Sequence, residues 1–268
     1  KGQLTPHYHY VSRPPFTEAE AVRRAIYLAG QTDTPLYIAH MTCREAIAEL
    51  QKAKGTGQRV SGETCTHYLT TTKEVLDNPD FNEAAKFVCS PALRDREDCE
   101  ALWQALSDGL LTAVSSDHCG IDVAELKQAG RNDFTQIPNG SPGAGDRLHM
   151  VWTEGVCTGK LTRQKFVDVI ATQPAKINGI YPRKGTLAVG SDADVVIFDP
   201  NYEGTVHLAD NPNGVDYNLY EGRRQSGRVE TVLLRGQVVV ENAKFVGRYG
   251  QGKFIPANMY ASGYENRN

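Results

Sequence analysis

Apolar positions along the chain follow two alternating periods. At helical spacing stand Val22, Ala25, Ile26 and Ala29; then Ala46, Ile47, Leu50 and Ala53; then Cys99, Leu102, Trp103 and Leu106; then Phe166, Val167, Ile170 and Ala171. Each set lines one face of a helix. Thr17-x-x-Glu20 and Thr42-x-x-Glu45 are capping boxes ahead of the first two sets, which predicts that each threonine closes the open amides of its helix. Gly30, Gly55 and Gly109 are placed as stops, and Pro174 should end the fourth helix. Between these faces lie segments that read as strands: Pro35 to Ala39, Arg59 to Cys65, Lys86 to Cys89, and an apolar run opening at Leu110. Strands alternating with helices at this spacing imply parallel pairing through right-handed crossovers, an α/β architecture.

The pattern changes at Gly185. Val195 to Phe198 reads as a strand, and Thr231 to Leu234 with Gln237 to Val240 reads as a hairpin around Arg235-Gly236. The expected organisation is an α/β part over 1–184, a small antiparallel β subdomain over 185–246, and a Gly- and Tyr-rich tail over 247–268 suited to lying on a neighbouring subunit.

Candidate chemistry collects where strands end. The run from Leu110 passes abruptly into Ser115, Ser116, Asp117, His118 and Cys119. In parallel α/β folds, functional groups project from the C-terminal ends of strands. Asp117 is therefore the first candidate, although a strand-end Asp also serves as a cap for the segment after it. The run Pro35 to Ala39 delivers His40 in the same way, so His40 and Asp117 should lie at one end of one sheet. From Gly120 to Arg147 the chain is rich in Gly, Pro, Asn and Asp, the character of a binding lid.

Composition narrows the class. With 268 residues and a formal charge of -3, and no basic run, the chain has no footprint for nucleic acid. No window approaches the ~20 apolar residues that span a bilayer. Six dispersed cysteines without a C-x-x-C pair suit buried thiols in a reducing compartment. With neither a signal-peptide profile nor an initiator Met, the expected setting is the cytoplasm. His7-x-His9 has the spacing of two metal ligands on a strand, but no apolar strand precedes it and Pro14-Pro15 follows, which argues against a metal there. His118 is expected to shape its surroundings rather than bind metal, His67 to be a satisfied structural histidine, His149 and His207 to be surface or packing residues, and Cys119 to be a plain buried thiol.

Seven segments, taken in order, carry a resemblance. They are Leu36-Tyr-Ile-Ala-His40-Met-Thr-Cys43, Gly62-Glu-Thr-Cys-Thr-His-Tyr-Leu69, Cys89-Ser-Pro-Ala-Leu-Arg94, Ser116-Asp-His-Cys119, Phe134-Thr-Gln-Ile-Pro-Asn-Gly140, Gly190-Ser-Asp-Ala-Asp-Val-Val-Ile-Phe198 and Val215-Asp-Tyr-Asn-Leu-Tyr-Glu-Gly222. Together they resemble the dihydropyrimidinase and hydantoinase branch of the cyclic amidohydrolases. The resemblance implies the C-terminal part of a metal-dependent (β/α)8 barrel plus a small β-sandwich subdomain, assembled as a homotetramer. It implies hydrolysis of a small cyclic ureide, a 5,6-dihydropyrimidine or 5-substituted hydantoin, to an N-carbamoyl amino acid, with two divalent metals, most often zinc. By the same resemblance His40 is a metal ligand, Asp117 is both a metal ligand and the catalytic acid-base group, and Ser90 and Asn139 bind substrate through their backbones.

The family's H-x-H after its first strand, its bridging carboxylated lysine and a further histidine have no matching position here. A complete barrel alone takes ~250 residues, so the resemblance points to the C-terminal portion of the enzyme. An allantoinase or dihydroorotase type of hydrolase, and a non-enzymatic tetrameric scaffold of the same fold, are the alternatives. The segments 137–140 and 215–222 resemble the hydantoinase branch more, and retention of both His40 and Asp117 counts against the scaffold.

Overall fold

The structure is a computed structural model that describes residues 2–258. Three strands, β1 (Leu36–Ile38), β2 (Val60–Cys65) and β3 (Ala113–Ser115), form a parallel sheet in the order β1-β2-β3. Leu36 stands against Val60, and Cys65 against Ser115. Helices α1 (His7–Val11) and α2 (Pro15–Gln31) precede β1, and α3 (Arg44–Gly55) joins β1 to β2. Then α4 (Thr66–Thr70), α5 (Phe81–Ala85) and α6 (Arg96–Ser107) lead to β3, and α7 (Arg147–Val151), α8 (Arg163–Val167) and α9 (Gln173–Ile177) follow it. A second sheet is antiparallel in the order β4 (Val195–Thr205), β5 (Arg224–Leu234), β6 (Gln237–Glu241) and β7 (Lys244–Phe245). Among the described residues no helix is long and apolar enough to cross a membrane.

The core forms where the helical faces meet the parallel sheet. Ala46, Ile47 and Leu50 of α3 and Cys99, Leu102, Trp103 and Leu106 of α6 pack in one cluster with Val60, Cys65 and Val114. Each fully buried leucine contributes on the order of 2 kcal/mol. Gly62 in β2 allows a close approach, since a Cβ there would lie 2.5 Å from the Met41 sulfur. The hairpin between β5 and β6 turns on Arg235 and Gly236, both at positive φ (49° and 78°), as a type I′ turn requires.

Several local expectations give way to longer-range partners. Helix α2 begins at Pro15, and the Thr17 hydroxyl donates to the Pro14 carbonyl rather than capping. Proline preset at the first helical position starts the helix two residues early. Thr42 does not cap α3 either. Its amide donates to Glu18 at 2.8 Å, while Asp98 of α6 accepts from the Arg44 amide at 3.0 Å and closes that end of the helix. Residues 86–89 form no strand, because their carbonyls bond to side chains and to the 137–141 loop instead of to the sheet. Pro174 does not stop its helix. A π-helical turn over Asp168–Thr172 precedes it and α9 continues to Ile177, the wider turn accommodating a residue without an N–H. Residues 259–268 of the expected tail lie outside the described residues.

Candidate active site

Parallel pairing puts the residues after β1 and after β3 at the same end of the sheet, with β2 between them. His40 and Asp117 both stand there, two residues past their strands. Strands spaced ~4.8 Å apart put the two strand ends ~10 Å apart. Both residues adopt left-handed backbone, with φ of 41° at His40 and 43° at Asp117. That conformation costs a non-glycine residue roughly 1 kcal/mol and persists where the surroundings impose it. His40 is half-buried and Asp117 exposed, and among the described residues neither side chain makes a hydrogen bond or ion pair.

The surroundings that impose it are specific. After His40, the Met41 amide donates to the Glu63 backbone carbonyl of β2 at 2.8 Å and the Met41 carbonyl accepts from the Thr64 hydroxyl at 2.8 Å. Thr42 is fixed by Glu18, itself paired with Arg94 at 3.1 Å in an ion pair whose side chains are 9% and 5% exposed. Before Asp117, the Ser115 hydroxyl donates to Glu63 at 2.8 Å, and the other oxygen of Glu63 accepts from Tyr37 at 2.6 Å. One carboxylate on β2 thus spans all three strands. Beyond Asp117, His118 accepts from the Gly143 amide at 3.3 Å.

Ser90 and Asn139, 49 residues apart, meet directly, with the Ser90 hydroxyl donating to Asn139 Oδ1 at 3.1 Å. Both are exposed. Behind them the Gly140 amide donates to the Val88 carbonyl at 3.0 Å, and the buried Lys127 ammonium reaches carbonyls on both segments. Sequence reasoning missed Lys127, which sits in a polar stretch with no pattern to mark it. A cavity of 670 Å³ runs beside β1 and is lined in part by Tyr37, His40, Ser90 and Arg94, but by neither Asp117 nor Asn139.

The loop after Asp117 is pinned at both ends. Asp216 accepts from the amides of Val123 (2.9 Å) and Ala124 (2.7 Å). Asp146 accepts from Asn218 at 3.1 Å and Asn211 at 2.7 Å. The segment 215–222 therefore holds the loop in place.

The remaining histidines sort by partner. His7 pairs with Asp77 at 2.6 Å, while His9, 1% exposed, bonds through Nε2 to the Cys89 carbonyl at 2.7 Å. On a helix the two diverge, so His7-x-His9 is no metal pair. Burial pulls His9 down to about 4, so at neutral pH the uncharged ring donates to Cys89. His67 is buried as expected but is not satisfied: its Nε2 has no partner among the described residues, and burial pulls it down to about 3. His149 accepts from the Val229 amide at 3.4 Å, and His207 pairs with Glu221 at 3.1 Å. Cys119 is half-buried rather than buried, and that partial burial raises its thiol. Among the described residues no three His, Cys, Asp or Glu side chains cluster as a metal site.

Comparison with known proteins places this geometry. A model of the amidohydrolase family matches residues 27–239. The chain is 47% identical to D-hydantoinase of Ralstonia pickettii over 260 residues, 97% of this chain and 56% of that protein. It is 40% identical to dihydropyrimidinase of Arabidopsis thaliana over 254 residues, 95% of this chain and 48% of that protein. The structure superposes on a D-hydantoinase with a TM-score of 0.95 at 47% identity, covering 97% of this chain and 56% of the other. On dihydropyrimidinase of Brevibacillus agri NCHU1002 the score is 0.94 at 43% identity, covering 99% and 57%. The chain thus spans about half the length of the relatives it matches. Its parallel strands and their helices are part of a (β/α)8 barrel, and its antiparallel sheet is the small β subdomain beside it. With the family match running from α2 into β6 and the likeness holding along nearly the whole chain, the chain belongs to the amidohydrolase family.

Proposed function

We propose that this chain serves in a metal-dependent hydrolase that opens the ring of 5,6-dihydropyrimidines, 5-substituted hydantoins or both to N-carbamoyl amino acids. The observation that carries the reading is the placement of His40 and Asp117 at one end of the parallel sheet, both in left-handed backbone, in a chain 47% identical to a D-hydantoinase. In this reading the barrel part covers 1–184, the β subdomain 185–246 and the tail 247–268. The enzyme acts as a homotetramer in the cytoplasm.

An imidazole nitrogen and a carboxylate oxygen are donor types that zinc takes, and both side chains lack competing hydrogen bonds among the described residues, so His40 and Asp117 fit a metal as two of its ligands. Two are fewer than a site needs. The reading therefore includes further donors, a bridging carboxylated lysine and a second zinc, held outside these two residues. When bound, the metals lower the pKa of water from ~16 to about 7 and polarise the ring carbonyl.

The chain's own groups then handle position and protons. The backbone at Ser90 and Asn139 orients the ureide, which offers both N–H donors and carbonyl acceptors. Water adds its oxygen to the ring carbonyl carbon and the ring C–N bond breaks. A ring nitrogen leaves poorly as an anion, so Asp117 takes the proton from the attacking water and hands it to that nitrogen. The ring carbonyl carbon becomes a carboxylate, releasing water's second proton, and the departing nitrogen becomes the terminal NH2 of the carbamoyl group that stays on the other ring nitrogen.

Metal content by elemental analysis, paired with hydrolysis of dihydrouracil and hydantoin, tests the reading. Metal with turnover of either ring supports it. A metal-loaded protein that turns over neither ring overturns it.

A further inference from the structure

We infer that Lys127 is a positioning residue of the substrate site, its ammonium holding the Val88–Ser90 and Pro138–Gly140 segments together so that the backbones of Ser90 and Asn139 face substrate as one unit. The inference rests on the reading of Ser90 and Asn139 proposed above.

Lys127 is 0% exposed. A buried ammonium usually needs a carboxylate, yet among the described residues Lys127 makes no ion pair and spends its hydrogens on three carbonyls: Gly140 at 2.8 Å, and Val88 and Pro138 at 3.3 Å each. Those carbonyls are not scattered. Val88 lies two residues before Ser90, and Pro138 and Gly140 flank Asn139 on either side. An ammonium has three donors, and each finds one acceptor. Burial pulls the amine down to about 8, which leaves it mostly protonated at neutral pH.

The two segments have few other ties. They share the Gly140–Val88 backbone bond at 3.0 Å and the Ser90–Asn139 contact at 3.1 Å. Val88 accepts from both Gly140 and Lys127, so the lysine adds a buried bridge to a junction that holds the two bonds above and, beside them, the Ser141–Lys86 bond at 2.6 Å. The junction also reaches Asp117. Gly140, at φ 126°, lies so close to Cys119 that a Cβ there would fall 2.5 Å from the Cys119 Cβ, and the Cys119 amide donates to Ser141 at 2.9 Å. Lys127 thus sets the distance between the backbone that holds the ring and the strand end that carries Asp117. His9 fixes the neighbouring Cys89 carbonyl at 2.7 Å.

The test is Lys127→Met in the full-length, metal-loaded enzyme, which keeps the length of the side chain and removes its donors. The expected result is a KM for dihydrouracil or hydantoin raised tenfold or more, with kcat changed several-fold less and metal content unchanged. Amide hydrogen exchange should quicken in Val88–Ser90 and Pro138–Gly140 together, while β4 and β5 exchange as before. Lys127→Gln, which keeps two donors, should fall between parent and Lys127→Met, and it carries the comparison if the methionine variant does not fold. Unchanged KM with unchanged exchange overturns the inference. So does faster exchange spread evenly over the chain with kcat and KM altered alike, the mark of a merely structural lysine. A parent enzyme that hydrolyses neither ring removes the proposed function, and exchange at the two segments still decides whether Lys127 joins them.

Discussion

His40 and Asp117 leave strands on either side of β2 in the same left-handed backbone state, φ 41° and 43°. Neither is a glycine, so the fold holds two unfavourable conformations where ligand and proton chemistry is proposed. Glycine relieves this conformation at no steric cost. Asp117→Gly should therefore melt no lower than the parent, and up to about 1 kcal/mol higher in stability, while losing turnover. Thermal or urea unfolding beside an activity assay checks the pair, and Asp117→Val should move stability the opposite way.

Side-chain and backbone roles separate by substitution. Asp117→Ala should abolish ring opening with the fold intact, and His40→Ala should lower both metal content and turnover. Ser90→Ala and Asn139→Ala should cost far less, because the proposed contacts to the ureide come from the main chain. Retained turnover in Asp117→Ala would remove that carboxylate from the mechanism.

The Glu18–Arg94 pair is buried at 9% and 5% exposure and fixes Thr42 just after His40. Breaking it leaves an uncompensated charge, so Glu18→Ala or Arg94→Ala alone should destabilise by about 3–5 kcal/mol. Replacing both with apolar residues, Glu18→Leu with Arg94→Met, should recover much of the loss. Urea unfolding of the four proteins gives the coupling.

His9 predicts a pH dependence of stability. Its folded pKa of about 4 lies below the ordinary imidazole value of 6.5, so between those values the unfolded chain binds the proton and the folded chain does not. Stability from this group is complete above 6.5, falls as pH drops towards 4, and levels off below it, by about 3 kcal/mol in all. His67, pulled down to about 3, acts in the same direction. His9→Gln should flatten the unfolding profile across pH 4 to 6.5 relative to the parent.

What could be read in the sequence was what short-range periodicity decides. The faces of α3 and α6 follow from the spacing of Ala46, Ile47 and Leu50 and of Cys99, Leu102 and Trp103, and burial confirms them. The hairpin at Arg235-Gly236 and the strand ends before His40 and Asp117 were equally local. Thr42 looked like a cap, but its hydroxyl prefers Glu18, 24 residues earlier, and no window around Thr42 contains that competitor. Phe87-Val88-Cys89 has strand composition, yet Gly140, Lys127 and His9 supply its hydrogen-bond partners from outside the sheet. His7-x-His9 points two ways because a spacing of two shares a face only on a strand. Ser90 and Asn139 were named through resemblance alone, and their contact is a product of the tertiary fold.

Glu63 carries a consequence for how this barrel can change over generations. Tyr37 and Ser115 sit on strands that do not touch, yet both spend their hydroxyl hydrogens on the same carboxylate. Loss of either leaves Glu63 half-served, so the effect of the second loss depends on whether the first has occurred. The three positions form an epistatic set. A substitution at one of them should therefore change the cost of a substitution at the others.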